Sequence, residues 1–231
     1  GNIPSNIEDL INEYFGSIPV GENTRKELPE LKPFKGKIII YKSNPKLLNT
    51  QNPKESSAII FINYRPVVKF DEDEYAVRTM NLLLGSGINS LLYKNVGSKK
   101  GLAYNIQTTA DGNYMTGDIG IKALVPATKI EESIDAIFEE IERIKTEKMR
   151  KEDVERTKKL VKYGILTKFE TNWGHIDIIE VKLDLENTPE VFIGGFERVT
   201  PEKVMDVAKK YLPDKETGDY FIGVGSPLIK D

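Results

Sequence analysis

Few side chains in this sequence have the types and spacing to do chemistry. His175 is the only histidine and there is no cysteine among the 231 residues. A mononuclear catalytic zinc commonly takes two histidines and a carboxylate, so the chain cannot assemble that set, nor a thiolate site, a disulfide or a cysteine nucleophile. Neither HExxH nor HxxEH occurs, and Glu180, five residues after His175, would lie on a different helical face. Serine chemistry would need a GxSxG elbow, which is absent, so a packed or capped histidine is the plainer reading of His175 than a small hydrolase built on it. Gly85, Gly87 and Ser90 resemble a degraded GxGxxG, but they leave a predicted helix where a dinucleotide fingerprint leaves a strand. Asp71 with Asp73 and Glu139 with Glu140 are carboxylate pairs of the kind common on solvated helix faces, and nothing in the sequence drives them into a cleft. No cofactor is expected on this chain.

The elements that must position these residues begin with a helix at about 6–15, where Ser5 and Glu8 have capping-box spacing and Ile7, Leu10, Ile11, Tyr14 and Phe15 form one stripe. Gly16 ends it, and Pro19, Pro29 and Pro33 among many charges mark 20–36 as a linker. Strands are expected at 37–42 and 57–64, whose continuous apolar runs predict burial on both faces. Asp71 with Glu74 opens a helix through Leu84, followed by a helical turn carrying Leu91, Leu92 and Val96. A hairpin over 103–110 and 115–124 turns at Asp111, Gly112 and Asn113, and Thr128 with Glu131 starts the clearest amphipathic helix, ending near Lys148. Further helices are expected from Lys151 into the 160s, around Ile176, Ile179 and Leu183, and from Thr200-Pro201, with a closing strand at 219–225. Early strands, late helices and hairpin connections predict an α+β fold, an antiparallel sheet with helices layered on one face.

Composition narrows the partners. Apolar residues at 39% and charged residues at 30% suit a folded globular chain, and a net charge of −3 with interleaved signs shows no nucleic-acid footprint. No run approaches the roughly eighteen apolar residues of a membrane span, and no targeting segment is visible, so no membrane partner is expected. The lack of cysteine fits a reducing cytosol.

Residues 82–104, LLLGSGINSLLYKNVGSKKGLAY, carry a resemblance. Leu84-Gly85-Ser86-Gly87 with Ser90 and Leu91, and above all Gly101-Leu102-Ala103-Tyr104, resemble the second half of the inverzincin peptidases, the pitrilysin and mitochondrial processing peptidase superfamily. Glu152 to Lys159 with Glu170, and Val199-Thr200-Pro201-Glu202 through Tyr211-Leu212, are similar to later stretches of the same half. Tyr14-Phe15-Gly16 with Ile18-Pro19 resembles the junction that closes the first half. The resemblance implies that 1–19 is the terminal helix of a preceding half-domain, 20–36 a linker and 37–231 the C-terminal half-domain. It further implies a substrate-binding, catalytically incomplete half that encloses peptide together with an HxxEH-bearing half, in cis or on a partner chain, with zinc in that partner half.

In the active pattern an arginine seven residues before the tyrosine joins it in contacting substrate. Here Tyr104 matches and Gly97 stands at the arginine position, while Lys99 and Lys100 lie nearby as candidate cations. A guanidinium offers a fixed fork of donors that glycine lacks, so the alternative is a non-enzymatic scaffold or binding subunit on the same fold.

Overall fold

The computed structural model describes residues 3–19, 21, 35–64, 73–113, 116–176, 178 and 188–229. Its centre is a five-stranded sheet in the order β1 (Lys37–Ser43), β5 (Tyr220–Ser226), β2 (Ser57–Tyr64), β4 (Thr116–Pro126), β3 (Asn105–Asn113). The neighbours β5–β2, β2–β4 and β4–β3 are antiparallel, as expected, but β1 runs parallel to β5. The hairpin is longer than the sequence suggested: Asp111, Gly112 and Asn113 pair with Asp118, Gly117 and Thr116 as strand residues, and 114–115 lie outside the described residues.

The alternation of each strand sets two unlike faces. Ile60, Ile62 and Tyr64 of β2, Ile119, Ile121, Ala123 and Val125 of β4, and Tyr220, Ile222 and Val224 of β5 are buried beneath the helices. Those helices are α2 (Glu74–Gly85), α3 (Ile130–Thr146), α4 (Lys151–Lys168), α5 (Pro189–Glu197) and α6 (Pro201–Tyr211). α3 contributes Ile134, Ile137, Phe138, Ile141 and Ile144, all buried, and the Phe138 ring lies 5.0 Å from that of Tyr220. Tyr41 shows that β1 reaches the same layer, its hydroxyl donating to Glu131 at 2.7 Å. Partial burial, then that carboxylate, push the phenol up to about 12.

On the other face the β1–β5–β2 register sets Ile38 and Ile40 beside Phe221 and Gly223, next to Phe61, with Leu124 and Lys122 beyond. Lys122 Nζ lies 5.5 Å from the Phe61 ring. Phe61, Ile38 and Ile40 are exposed. The expected burial of β1 and β2 on both faces is therefore corrected: β2 is buried on its helix-facing side only, and β1, as an edge strand, is exposed from Lys37 to Lys42.

Several caps also differ. α1 (Ile7–Phe15) and α3 start at Asn6 and Lys129 without a side-chain cap bond, so the capping boxes at Ser5 and Thr128 do not form. Asp71, the 22–34 part of the linker, and Ile179 and Leu183 lie outside the described residues. The Thr200-Pro201 start holds, with Thr200 Oγ1 accepting from Lys203 N at 3.2 Å, and Thr188-Pro189 opens α5 in the same way.

Candidate functional site

The stretch from Gly85 to Tyr104 links α2 to β3, and its glycines have distinct reasons to be there. A Cβ at Gly85 would lie 2.4 Å from Thr108 Cγ2 and 2.6 Å from Thr108 N, so the close packing of the end of α2 on β3 needs glycine. Gly87 and Gly101 have φ of +76° and +63°, backbone that L side chains rarely adopt. Between them Ser90 is buried, its hydroxyl donating to Gly87 O at 2.8 Å and accepting from Tyr93 N at 3.3 Å.

The expected helical turn is a π-helix, Leu92–Lys99, with Leu92 and Val96 buried. Lys100 N donates to Asn95 O and Leu102 N to Val96 O, both at 3.0 Å, a wider winding than an α-helix makes. α3 holds this helix in place: Asn95 Nδ2 donates to Glu140 at 2.7 Å, and Glu140, 3% exposed, also accepts from Arg143 Nη1 at 3.0 Å.

After the reversal at Gly101, Leu102 is driven into the core at 1% exposed, and its carbonyl accepts from Ser133 Oγ at 3.2 Å. Tyr104 then enters the sheet edge with its N–H donating to Leu124 O at 2.8 Å. Its side chain is 61% exposed, with no hydrogen bond from its hydroxyl among the described residues. In Gly-Leu-Ala-Tyr, therefore, Gly101 and Leu102 serve the fold, whereas Tyr104 presents a ring and a hydroxyl outward from a fixed backbone.

Gly97 lies against this corner. A Cβ there would meet Ala103 O at 3.6 Å and Ile106 Cγ2 at 3.8 Å, ordinary contact distances, so the backbone would accept a side chain at that position. Lys100 is engaged, its ammonium paired with Glu139, while Lys99 is exposed and makes no ion pair among the described residues. Sequence reasoning did not find the supports Glu139, Asn95 and Glu140, whose partners lie tens of residues away. The adjacent carboxylates thus part company, Glu139 to Lys100 and Glu140 to Asn95 and Arg143.

The other singled-out residues are structural. Asp73 is 3% exposed and receives Lys203 at 2.5 Å, Lys210 at 2.7 Å and the Tyr211 hydroxyl at 3.0 Å, and those donors hold its carboxyl down at about 2. His175 is exposed, with its ring edge-on to Phe169 at 5.7 Å. Among the described residues no three of histidine, cysteine, aspartate and glutamate converge as a metal site. With one histidine in the sequence, the residues do not fit a catalytic zinc.

The family model described as the peptidase M16 inactive domain matches residues 1–161. The chain is 22% identical to the uncharacterized zinc protease YmxG of Bacillus subtilis, an alignment covering 98% of this chain and 52% of that relative. Its fold is similar to a protease from Helicobacter pylori, with TM-score 0.77 and 17% identity over 98% of this chain and 53% of that one. It is also similar to the peptidase M16 inactive domain from Pseudomonas fluorescens, with TM-score 0.70 and 17% identity over 89% and 47% of the two chains. The chain thus spans about half the length of the curated relative it matches. On the family match and the Gly85–Tyr104 connection together, the chain belongs to the peptidase M16 inactive-domain family.

Proposed function

We propose that this chain is the substrate-binding, non-catalytic half of a zinc metalloendopeptidase, working with an HxxEH-bearing half in cis or on a partner chain. The observation that carries the reading is Tyr104, exposed on a backbone pinned at Leu124 O and braced by Leu102 in the core. In this reading the Tyr104 hydroxyl donates to a peptide carbonyl, Lys99, with no ion pair among the described residues, adds a cation nearby, and Lys100 stays bound to Glu139 unless substrate displaces it. Zinc, held by the partner half, would supply the activated water. Residues 1–19 then belong to the preceding half-domain and 37–231 to this one.

Two surfaces support a partner half. α1 has no buried residue, leaving Ile11, Tyr14 and Phe15 exposed, and the open face of the sheet presents Ile38, Ile40 and Phe61. Large apolar surfaces of this kind are typical of contacts awaiting a partner. Gly97 favours a second reading, a scaffold subunit on the same fold, because it supplies no side-chain donor to a substrate.

Kinetics in the complete enzyme decide between the two. Tyr104→Phe is expected to lower kcat/KM by about 2- to 12-fold, the equivalent of one neutral hydrogen bond of about 0.5–1.5 kcal/mol. Unchanged kinetics would remove Tyr104 from the site, and a parent protein that cleaves no peptide despite an intact HxxEH would favour the scaffold.

A further inference from the structure

Leu160, Val161 and Lys162 of α4 still line grooves against α2 and α5, and past them the helix is exposed. Val154 and Thr157 are its buried residues, and no described residue of α4 beyond them is buried. From there the chain displays Leu160 (61% exposed), Tyr163 (69%), Leu166 (52%) and Phe169 (43%), then Trp173 (77%) and Ile176 (44%) just past the helix end. This is a projecting arm, apolar and aromatic along its length.

Its tip is built. Gly174 is buried against the end of α4, where a Cβ would come within 2.0 Å of Lys168 O. Gly174 N donates to Thr171 Oγ1 and His175 N to Thr171 O, both at 3.0 Å, and the His175 ring braces Phe169 edge-on. Thr171 therefore caps a second helical segment, 172–176, that carries Trp173, and the cap orders the aromatic groups before any partner arrives, which lowers the entropic cost of docking.

We infer that the α4 arm, tipped by Trp173, is a docking surface for the HxxEH-bearing half. The inference rests on the reading proposed above, and it adds a third surface to the two that half would cover. Two observations select this occupant. The chain spans about half the length of its curated relative, so a second half of similar size is the partner at hand. Stepping by three residues turns an α-helix about 60° each time, so Leu160, Tyr163 and Leu166 sweep round the exposed side of the arm, while Val161 turns toward the grooves against α2 and α5. A helix lying in a lipid surface separates one apolar face from one charged face, whereas here Lys159, Lys162 and Lys168 alternate with the apolar residues. An exposed side that mixes apolar and aromatic groups with scattered charges suits burial against protein.

Trp173 is the only tryptophan in the sequence, so it serves as the reporter. The full chain, labelled with 5-fluorotryptophan, gives one fluorine resonance that is titrated with the separately produced, unlabelled HxxEH-bearing half. Association is followed in parallel by sedimentation. The expected result is a shift of the resonance and its protection from solvent on association. Tyr163→Asp and Leu166→Asp, both at exposed positions, should each weaken association about tenfold or more. Leu48→Asp, exposed on a loop elsewhere, should leave it unchanged, and melting curves confirm that all three variants fold. Association with a silent Trp173 and unaffected Asp variants would overturn the docking surface while leaving the proposed function standing. A failure of any HxxEH-bearing half to associate would overturn both. A concentration-dependent shift of the chain alone would assign the arm to a second copy, and a shift with phosphatidylglycerol vesicles but not with the half would assign it to a membrane; either overturns the inference.

Discussion

In the proposed substrate-binding half, Gly97 occupies the one position of the Val96–Tyr104 stretch where the resembled substrate-contacting pattern and this sequence part. It is not there for want of space, since its virtual Cβ makes only ordinary contacts with Ala103 O and Ile106 Cγ2, and its φ lies outside the left-handed region that Gly87 and Gly101 occupy. Gly97→Ala should therefore be neutral or stabilise the fold by about 0.4–1 kcal/mol through the unfolded chain, measured by urea denaturation. In an active assembly Gly97→Arg should raise kcat/KM, or leave it unchanged if Lys99 already supplies the charge. A large loss of stability in either variant would mean that the position is packed more tightly than these distances indicate.

The connection between α2 and β3 makes the opposite demand at Gly85. Thr108 presents its backbone nitrogen as well as its methyl within 2.6 Å of where a Cβ would sit, and the Thr108 hydroxyl is already committed to Asn81 O at 2.9 Å. Gly85→Ala should cost about 1–3 kcal/mol, checked by thermal or urea melts, because strand backbone cannot step aside as a flexible side chain would. Much at this scale was legible in the sequence. The β2 run Ser57–Tyr64, the isoleucine stripe of α3 and the Thr200-Pro201 start are local patterns, and locality is what a sequence displays. α5 carried the same threonine-proline signal at Thr188-Pro189 and was overlooked for want of periodicity around it. The misreadings were non-local. Ile38-Ile39-Ile40 looks like a central strand, and only its pairing with β5, 183 residues onward, makes it an edge. The π-helix shows the apolar spacing of a helical turn, but the register of its hydrogen bonds leaves no mark on residue type. Tyr104 was legible through resemblance, whereas its supports Asn95, Glu139 and Glu140 required the packing of α3 on the π-helix.

Across the whole molecule Asp73 ties the start of α2 to α6, accepting from Lys203, Lys210 and Tyr211 at a sequence separation of well over a hundred residues. Its carboxyl is held at about 2, below the ordinary value of 3.8, so the group stabilises the fold fully at pH above about 4. That contribution disappears as pH falls through 2. At neutral pH Asp73→Asn should lose about 2 kcal/mol, and the gap between parent and variant should close as paired urea melts are taken from pH 5 down to pH 2. A gap independent of pH would mean that the lysines contribute through packing rather than charge. The placement of β5 has a consequence in time. The strand made last lies between β1 and β2, with Gly36 N donating to Asp219 Oδ1 across the 183-residue separation. During synthesis from the N-terminus, β2, β4 and β3 can pair while β1 has no neighbour to receive it. Until Tyr220–Ser226 emerge, the nascent chain carries three consecutive isoleucines and the bare edge of β2 together, so the final residues of the sheet set how long an aggregation-prone intermediate survives on and just off the ribosome.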